Sequence, residues 1–160
     1  MEFVVYTISI SGFFSKVYDI FKDDQLMYNV EKPSFFAFGE MIFYNMNGLA
    51  VQKLYRNSSF FNHKYTISKD KQKIATFEKY AMENYYISKS IFGDYTIKGD
   101  FFDNEYTIYN EDKEIAKVSR KRMRSHKKYG VAIIKGHNEL YILAMIIAIS
   151  QINKRSKKNG

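Results

Sequence analysis

A segment near the end of the chain, Glu139 to Ile152 (ELYILAMIIAISQI), is apolar on every face if it forms a helix. Asn138, directly ahead of it, is a typical N-cap residue, and the acidic residue in the first turn suits the helix dipole. From Leu140 to Ile149 only the Tyr141 hydroxyl is polar. This run is too short to cross a bilayer, which takes about 20 apolar residues. Such a helix must therefore be enclosed by protein.

The rest of the chain repeats a unit of strand, turn and strand. Three stretches share an aromatic first residue, Ile two positions later, a charged middle, and Phe or Val followed by a basic residue at the end: Tyr18 to Lys32, Tyr65 to Lys79 and Tyr106 to Arg120. Alternating aromatic and β-branched residues are typical of half-buried strands, and the polar centres supply turns. Asn47-Gly48 marks a fourth hairpin, because both residues tolerate positive φ.

The same pattern along the whole chain predicts about twelve short strands. They span residues 3–10, 17–22, 26–32, 41–46, 49–55, 63–68, 73–79, 84–89, 94–99, 102–109, 114–120 and 129–135. Evenly spaced antiparallel hairpins with no helical pattern between them favour a closed barrel, which leaves no exposed edge strand. We therefore predict a mostly β fold, a closed antiparallel barrel of about twelve strands that encloses the apolar C-terminal helix.

The dimensions of helix and barrel agree. A helix of about 14 residues is roughly 21 Å long, close to the height of strands of six or seven residues. A barrel of eleven or twelve strands leaves room for a helix about 10 Å wide. The alternative, a helix lying across an open sheet, leaves half of its apolar surface wet. The predicted domain covers residues 1–152, with the helix at 139–152, and a basic, disordered tail follows at 153–160.

In the order of its motifs the chain resembles the LURP-one-related family. The most specific part lies between Tyr95 and Ile152, and contains in order YTIKGDF (95–101), YTI (106–108), IAKVSRK (115–121), YGV (129–131) and LYILA (140–144). The resemblance implies a tubby C-terminal-like fold, which is a twelve-stranded barrel around a central C-terminal helix. Two positions depart from the family pattern: Arg122 stands where an aromatic residue is common, and Lys127 where an acidic residue is common.

Charge is concentrated in two stretches. Seven basic residues and no acidic residue lie between Lys117 and Lys128, and the tail adds Lys154, Arg155, Lys157 and Lys158. These eleven residues exceed the net charge of +8, so the remainder of the chain is mildly acidic. Such a patch attracts phosphate-bearing partners, either an anionic membrane surface or nucleic acid. The predicted anion- or lipid-binding residues are Lys117, Arg120, Lys121, Arg122, Arg124, Lys127 and Lys128; the alternative is a solvated loop.

Each repeat ends in a basic residue: Lys32, Lys79 or Arg120. This residue comes two positions after the Val or Phe of its strand, so its side chain is expected on the same face of the strand as that apolar residue. It is therefore expected at a strand end, on the rim of the barrel. We interpret these residues as gatekeepers that blunt strand ends and limit aggregation.

The sequence contains few residues in patterns that indicate catalysis. His63, His126 and His137 lack metal-binding spacing, and no phosphate loop or nucleophile elbow is present. Asp94, Asp100 and Asp103 are expected to cap turns rather than to act as acids and bases. We therefore expect a non-enzymatic protein without a cofactor or metal.

The resemblance implies little about activity. The LURP-one-related family has no settled biochemical activity, whereas the similar tubby domains bind phosphoinositides through basic residues and related scramblases act at membranes. No tubby ligand position can be matched to a residue here. Phospholipid headgroups are therefore the favoured partner, nucleic acid is the runner-up, and a small enzyme with a pocket at a barrel end is the third possibility. The absence of cysteine and of a targeting segment predicts a cytoplasmic protein, and the favoured phospholipid partner would place it peripherally at the membrane.

Overall fold

The computed structural model describes residues 2–11, 16–32, 39–57, 64–79, 85–121, 123, 125 and 127–158, with the backbone alone for residues 16 and 154–158. The elements are β1 (Phe3–Ile10), β2 (Lys16–Lys22), β3 (Gln25–Glu31), β4 (Glu40–Asn45), β5 (Ala50–Arg56), β6 (Lys64–Lys69), β7 (Gln72–Lys79), β8 (Tyr85–Ser90), β9 (Gly93–Asp100), β10 (Glu105–Asn110), β11 (Lys113–Ser119), β12 (Lys128–Ile134) and α1 (Glu139–Lys158).

The twelve strands form one closed antiparallel barrel in which each strand pairs with its neighbours in sequence. Pairing of β1 with β12, from Phe3 opposite Ile134 to Ser9 opposite Lys128, closes the circle. Every strand edge is thereby paired, which removes the exposed edges that promote aggregation. The predicted barrel is confirmed.

The helix fills the interior of this barrel. All residues from Tyr141 to Ile149 are fully buried. The Asn138 side chain caps the helix by accepting a hydrogen bond from the Tyr141 backbone N–H at 3.1 Å. The Tyr141 hydroxyl shares a hydrogen bond with Ser88, whose own hydroxyl lies 2.8 Å from the Thr76 carbonyl oxygen. The one polar group of the apolar run is therefore satisfied inside the barrel.

Two predicted boundaries are wrong. Strand β10 begins at Glu105 instead of residue 102, because Phe101 to Asn104 form a turn in which the Asp100 carboxylate accepts the Asp103 N–H. The helix continues past Ile152 to Lys158. The added residues are mostly Lys and Arg, which favour helices and interact well with the negative end of the helix dipole.

The two ends of the barrel differ. At the turn end, β2, β4, β6, β8 and β10 pass into the next strand through short turns, and α1 begins. Asp23 and Asp24, like Asp70 and Lys71, have positive φ there, as the tightest hairpin turns require. At the connection end, β1, β3, β5, β7, β9 and β11 pass into the next strand, and α1 leaves the barrel.

Replacement of Ile146 by Lys tests the enclosed helix. Ile146 is fully buried among apolar side chains, so an ammonium group there lacks a partner and costs several kcal/mol. That is comparable with the whole stability of a typical domain, about 5–15 kcal/mol. We expect Ile146→Lys to abolish the cooperative thermal transition measured by circular dichroism. Ile91→Lys is the matched control, because Ile91 is 70% exposed, and it should unfold like the wild type. A cooperative transition in Ile146→Lys would contradict the central-helix architecture.

Candidate anion-binding site

The connection between β11 and β12 carries the basic patch predicted from the sequence. Arg120 and Lys121 follow the end of β11, and Lys127 and Lys128 lead into β12 on the neighbouring strand. Lys121, Lys127 and Lys128 are exposed, and Arg120 is half-buried. The structure thus brings these four residues together at the connection end.

The other three predicted residues are placed differently. Lys117 is exposed on the barrel wall within β11, where it lies opposite Thr107 and Ala132. Arg122 and Arg124 lie outside the described residues. The assignment of all seven residues as ligand-binding stays a prediction.

An acidic residue anchors the start of this connection. Glu105, the first residue of β10, accepts three hydrogen bonds on one carboxylate oxygen: from the Ser119 hydroxyl at 2.9 Å, the Arg120 N–H at 2.8 Å and the Lys121 N–H at 3.2 Å. Burial alone would raise the pKa of Glu105, but these hydrogen bonds and the Lys121 charge lower it below its ordinary value. The carboxylate is therefore ionised at neutral pH and fixes the backbone of the basic connection.

The end of α1 reaches the same end of the barrel. The Asn153 side chain lies 2.5 Å from the Phe101 carbonyl oxygen, in the turn between β9 and β10. The following helical residues include Lys154, Arg155, Lys157 and Lys158. Both basic stretches of the sequence therefore lie at the connection end.

Four basic residues form what we call the collar, at the inner rim of this end: Lys32, Arg56, Lys79 and Arg120. Each lies two positions after an inward residue of β3, β5, β7 or β11 and is half-buried. Arg56 lies opposite Tyr65, and Lys79 lies opposite Tyr86 with its ammonium 5.9 Å from the centre of the ring. The expected rim position is confirmed; the gatekeeper role stays a prediction.

The repeat pattern in the sequence did not identify Arg56 as a member of the collar. The pattern that could have found it is Leu54-Tyr55-Arg56, an inward apolar residue followed two positions later by a basic one, as in Phe77-Glu78-Lys79. The hairpin that contains Arg56 was recognised only by its Asn47-Gly48 turn, because its first strand lacks the Tyr of the other repeats. Its closing basic residue was therefore not compared with theirs.

Directly inside the collar lies what we call the tyrosine layer. Tyr65, Tyr86, Tyr106 and Tyr129 are the second residues of β6, β8, β10 and β12, and Tyr18 is the third of β2. All five side chains are buried. Burial raises the pKa of each phenol, that of Tyr65 to about 12, so all five stay protonated at neutral pH.

The five hydroxyls are not equally satisfied. Tyr18 donates to the Ser150 hydroxyl and accepts from the Gln151 side chain, both at 2.8 Å. The hydroxyls of Tyr86, Tyr106 and Tyr129 are buried and make no hydrogen bond of good geometry, although the Ser150 hydroxyl lies close enough to Tyr129 to lower its pKa. Buried polar groups are nearly always paired, so these three phenols are an unusual feature that folding alone does not explain.

The acidic and histidine residues weighed for catalysis are dispersed. Asp94 is the second residue of β9, at the turn end, whereas Asp100 ends the same strand and caps the turn that contains Asp103. His137 lies in the turn before α1, and His63 and His126 lie outside the described residues. Within the described ranges, no group of three or more His, Asp or Glu side chains could hold a metal ion.

A groove of about 810 Å³ runs along the barrel wall beside β5. It is bordered by the ion pair between Lys53 and Glu40, 3.3 Å apart, and by the Asp70–Lys71 turn. The pairing of β5 with β6 begins only at Lys53, and the residues of β5 before Lys53 line the groove. At its other end the groove reaches Arg56, so it runs along the barrel wall as far as the collar.

Comparison with known proteins agrees with this architecture. The sequence profile of the LURP-one-related family matches residues 4–150. The chain belongs to the LURP-one-related family. An X-ray structure of an Arabidopsis thaliana protein is similar to it, with a TM-score of 0.73 and 14% identity over 94% of this chain and 91% of that chain. No curated protein matches the chain significantly.

The comparisons confirm the resemblance drawn from the order of the motifs and the tubby-like barrel that it implied. At 14% identity the Arabidopsis structure shows the fold alone. Over the part of the LURP-one-related chain that is described, no helix is long and apolar enough to cross a membrane.

Removal of the Glu105 carboxylate tests its role as the anchor of the basic connection. In Glu105→Ala we expect the Arg120 and Lys121 amides to exchange with solvent about tenfold faster, because each loses a hydrogen bond to a charged group. Hydrogen exchange followed by NMR measures this. Glu114→Ala, on the exposed surface of β11, is the control and should leave both amides unchanged.

The Glu105 carboxylate also predicts that the stability of the protein depends on pH. The pKa of Glu105 is lower in the folded than in the unfolded protein, so its stabilisation is complete above the unfolded value, about 4.3. It is lost as the pH falls through the lower, folded value. The stability gap between wild type and Glu105→Ala in urea should therefore shrink on acidification. A gap independent of pH would contradict the role of the ionised carboxylate.

Proposed function

We propose that this protein is a non-enzymatic barrel that binds anionic phospholipid headgroups, or other phosphate-bearing ligands, through the basic patch of residues 117–128. The observation that carries this proposal is that Arg120, Lys121, Lys127 and Lys128 lie at the same end of the barrel as the end of α1, whose last residues are basic in sequence. Guanidinium and ammonium groups held close together bind phosphate oxygens well, and their attraction weakens as salt rises.

The mixed charge of the turn end supports a defined orientation. The exposed acidic residues Asp23, Asp24, Asp70, Glu111 and Asp112 lie there among exposed lysines such as Lys69, Lys71 and Lys113. A barrel with one basic end and one end of mixed charge is oriented by the field of an anionic surface before contact. The connection end would then face the membrane, and the protein would act as a peripheral protein at the cytoplasmic surface.

An exposed aromatic side chain supports a lipid surface over a free phosphate. Phe102, in the turn between β9 and β10 at the connection end, is 58% exposed. An apolar side chain beside basic residues suits the boundary between headgroups and acyl chains. Nucleic acid is the second candidate, because a basic patch with a neighbouring aromatic ring also suits a single strand.

Vesicle co-sedimentation tests the proposal. Each Lys or Arg near an anionic membrane contributes about 1 kcal/mol, so Lys121→Gln/Lys127→Gln/Lys128→Gln should weaken binding to phosphatidylserine-containing vesicles roughly 100-fold. All three side chains are exposed, so the melting temperature should not change. Binding by the wild type should fall with salt and be absent for neutral vesicles.

The matched control keeps the same net charge. Lys69→Gln/Lys71→Gln/Lys113→Gln removes three exposed lysines at the turn end and should weaken binding only a few-fold. Equal losses in both triple variants would contradict a specific basic face. An oligonucleotide that displaces the wild type from vesicles at equal salt would favour the nucleic-acid candidate instead.

A further inference from the structure

Unsatisfied polar atoms are concentrated at one place in the barrel. Among the described residues, five buried side-chain atoms lack a hydrogen-bond partner: the hydroxyls of Tyr86, Tyr106 and Tyr129, Nε of Arg56, and Oε1 of Gln52. The first four belong to the tyrosine layer and the collar. All four can donate a hydrogen bond, and Arg56 can only donate. A set of donors without acceptors is what a bound anion requires.

The collar and the tyrosine layer fit together strand by strand. Arg56 lies opposite Tyr65 and Lys79 opposite Tyr86. Ser119 lies opposite Gly130, so the next pair in that register is Arg120 and Tyr129. Directly paired residues of antiparallel strands face the same side of the sheet, so each of these cations shares the inner face with a buried phenol.

Negative charge is kept off this inner face. The connection end also carries four carboxylates, those of Glu31, Glu78, Asp100 and Glu105. Each of these residues is directly adjacent in sequence to a residue that points into the barrel. Successive side chains point to opposite faces of a strand, so these four carboxylates belong to the outer face. The inner rim of the described strands is therefore basic, and the outer rim is mixed.

The rings of Tyr86 and Tyr106 are held in place by aromatic packing. The ring of Phe101 packs edge-on against Tyr86, with centroids 4.6 Å apart, and lies 5.3 Å from the ring of Tyr106. Phe77 stacks on the ring of Tyr86, with centroids 5.0 Å apart. Ring packing of this kind leaves the phenols little freedom to turn toward other partners, so the arrangement is preorganised.

We propose that the inner face of the connection end binds one phosphate group, which accepts hydrogen bonds from the hydroxyls of Tyr86, Tyr106 and Tyr129 and is neutralised by Arg56 and the rest of the collar. A phosphate group has three or four oxygens arranged as a tetrahedron, whereas a carboxylate has two in a plane. Three hydroxyls on three strands, with cations at the rim, suit the tetrahedral group better. The phosphate is that of a lipid headgroup or of a small phosphate ester.

This inference deepens the proposed function and rests on it for the ligand class, but it uses different side chains. Of the collar and tyrosine layer, only Arg120 belongs to the basic patch of residues 117–128. The outer patch would attract the ligand by charge, and the inner face would hold one phosphate by directed hydrogen bonds. Experiments can therefore disprove binding by the inner face without disproving binding by the outer patch.

Calorimetry with inorganic phosphate and with glycerol 3-phosphate tests the inner site, with sodium chloride at equal ionic strength as the reference. Wild type should bind both phosphates and show no response to chloride. Each lost hydroxyl removes a hydrogen bond to a charged group, so Tyr86→Phe/Tyr106→Phe should weaken binding about a hundredfold. Without phosphate this variant should melt at or above the wild-type temperature, because two unpartnered polar groups are removed.

Tyr18→Phe is the matched control. Its hydroxyl lies in the same layer but is paired with Ser150 and Gln151, so its loss should lower the melting temperature and leave phosphate affinity within about twofold. A double variant that melts as far below wild type as Tyr18→Phe would show that its hydroxyls have structural partners, and would overturn the inference. So would equal phosphate affinity in the wild type and the double variant.

A soluble short-chain phosphatidic acid separates the two sources of phosphate. Tighter binding than that of glycerol 3-phosphate, lost in Tyr86→Phe/Tyr106→Phe, would support a lipid headgroup in the inner site. Equal binding of both, lost in the same variant, would support a soluble ester there. Vesicle binding that depends on Lys121, Lys127 and Lys128, with no phosphate bound by the wild type, would leave the proposed function standing and overturn the inner site.

Discussion

A helix with no polar face can stay dry only inside a closed wall, and a wide barrel can avoid a large cavity only if something fills it. In this protein the strands shield α1 from water and α1 fills the space inside the strands, because every residue from Tyr141 to Ile149 is fully buried within the twelve-stranded barrel. Closure in turn depends on the pairing of β1 with β12, which are far apart in sequence. The fold is therefore cooperative: the last elements of the chain complete both the wall and the core.

The position of the helix also determines where polar groups can lie. Near the connection end Ser150 and Gln151 interrupt its apolar surface, and there five strands contribute the tyrosine layer to the wall. Tyr18 uses both helix residues as partners and Ser150 also lies near Tyr129, whereas Tyr86 and Tyr106 have neither. A polar layer inside an otherwise apolar core usually costs stability unless it is satisfied, and the phosphate group that we infer would complete this one.

Much of the fold could be predicted because alternation and turn chemistry are local. The repeats gave most strand limits to within a residue, and Asn138 was recognised as the cap that it is. The two wrong boundaries lie where local signals compete. The residues before Glu105 alternate like a strand, but the Asp100 carboxylate stabilises a turn there. The basic residues after Ile152 are compatible with a helix as well as with a solvated tail, and they form a helix. The candidate site was found only in part, because charge density pointed to the outer connection and not to Arg56 or the hydroxyls inside it.

The sequence by itself determined the class of fold, the enclosed helix, the inward direction of each closing basic residue and the density of charge between Lys117 and Lys128. These properties depend on residues a few positions apart, so spacing reveals them. Only the tertiary structure decided that Arg56 shares a rim with Lys79 and Arg120, that both basic stretches lie at one end, and that three buried phenols make no hydrogen bond of good geometry. Those relations join strands far apart in the chain, and they exist only once the register of every pair and the closure of the circle have set which side chains meet.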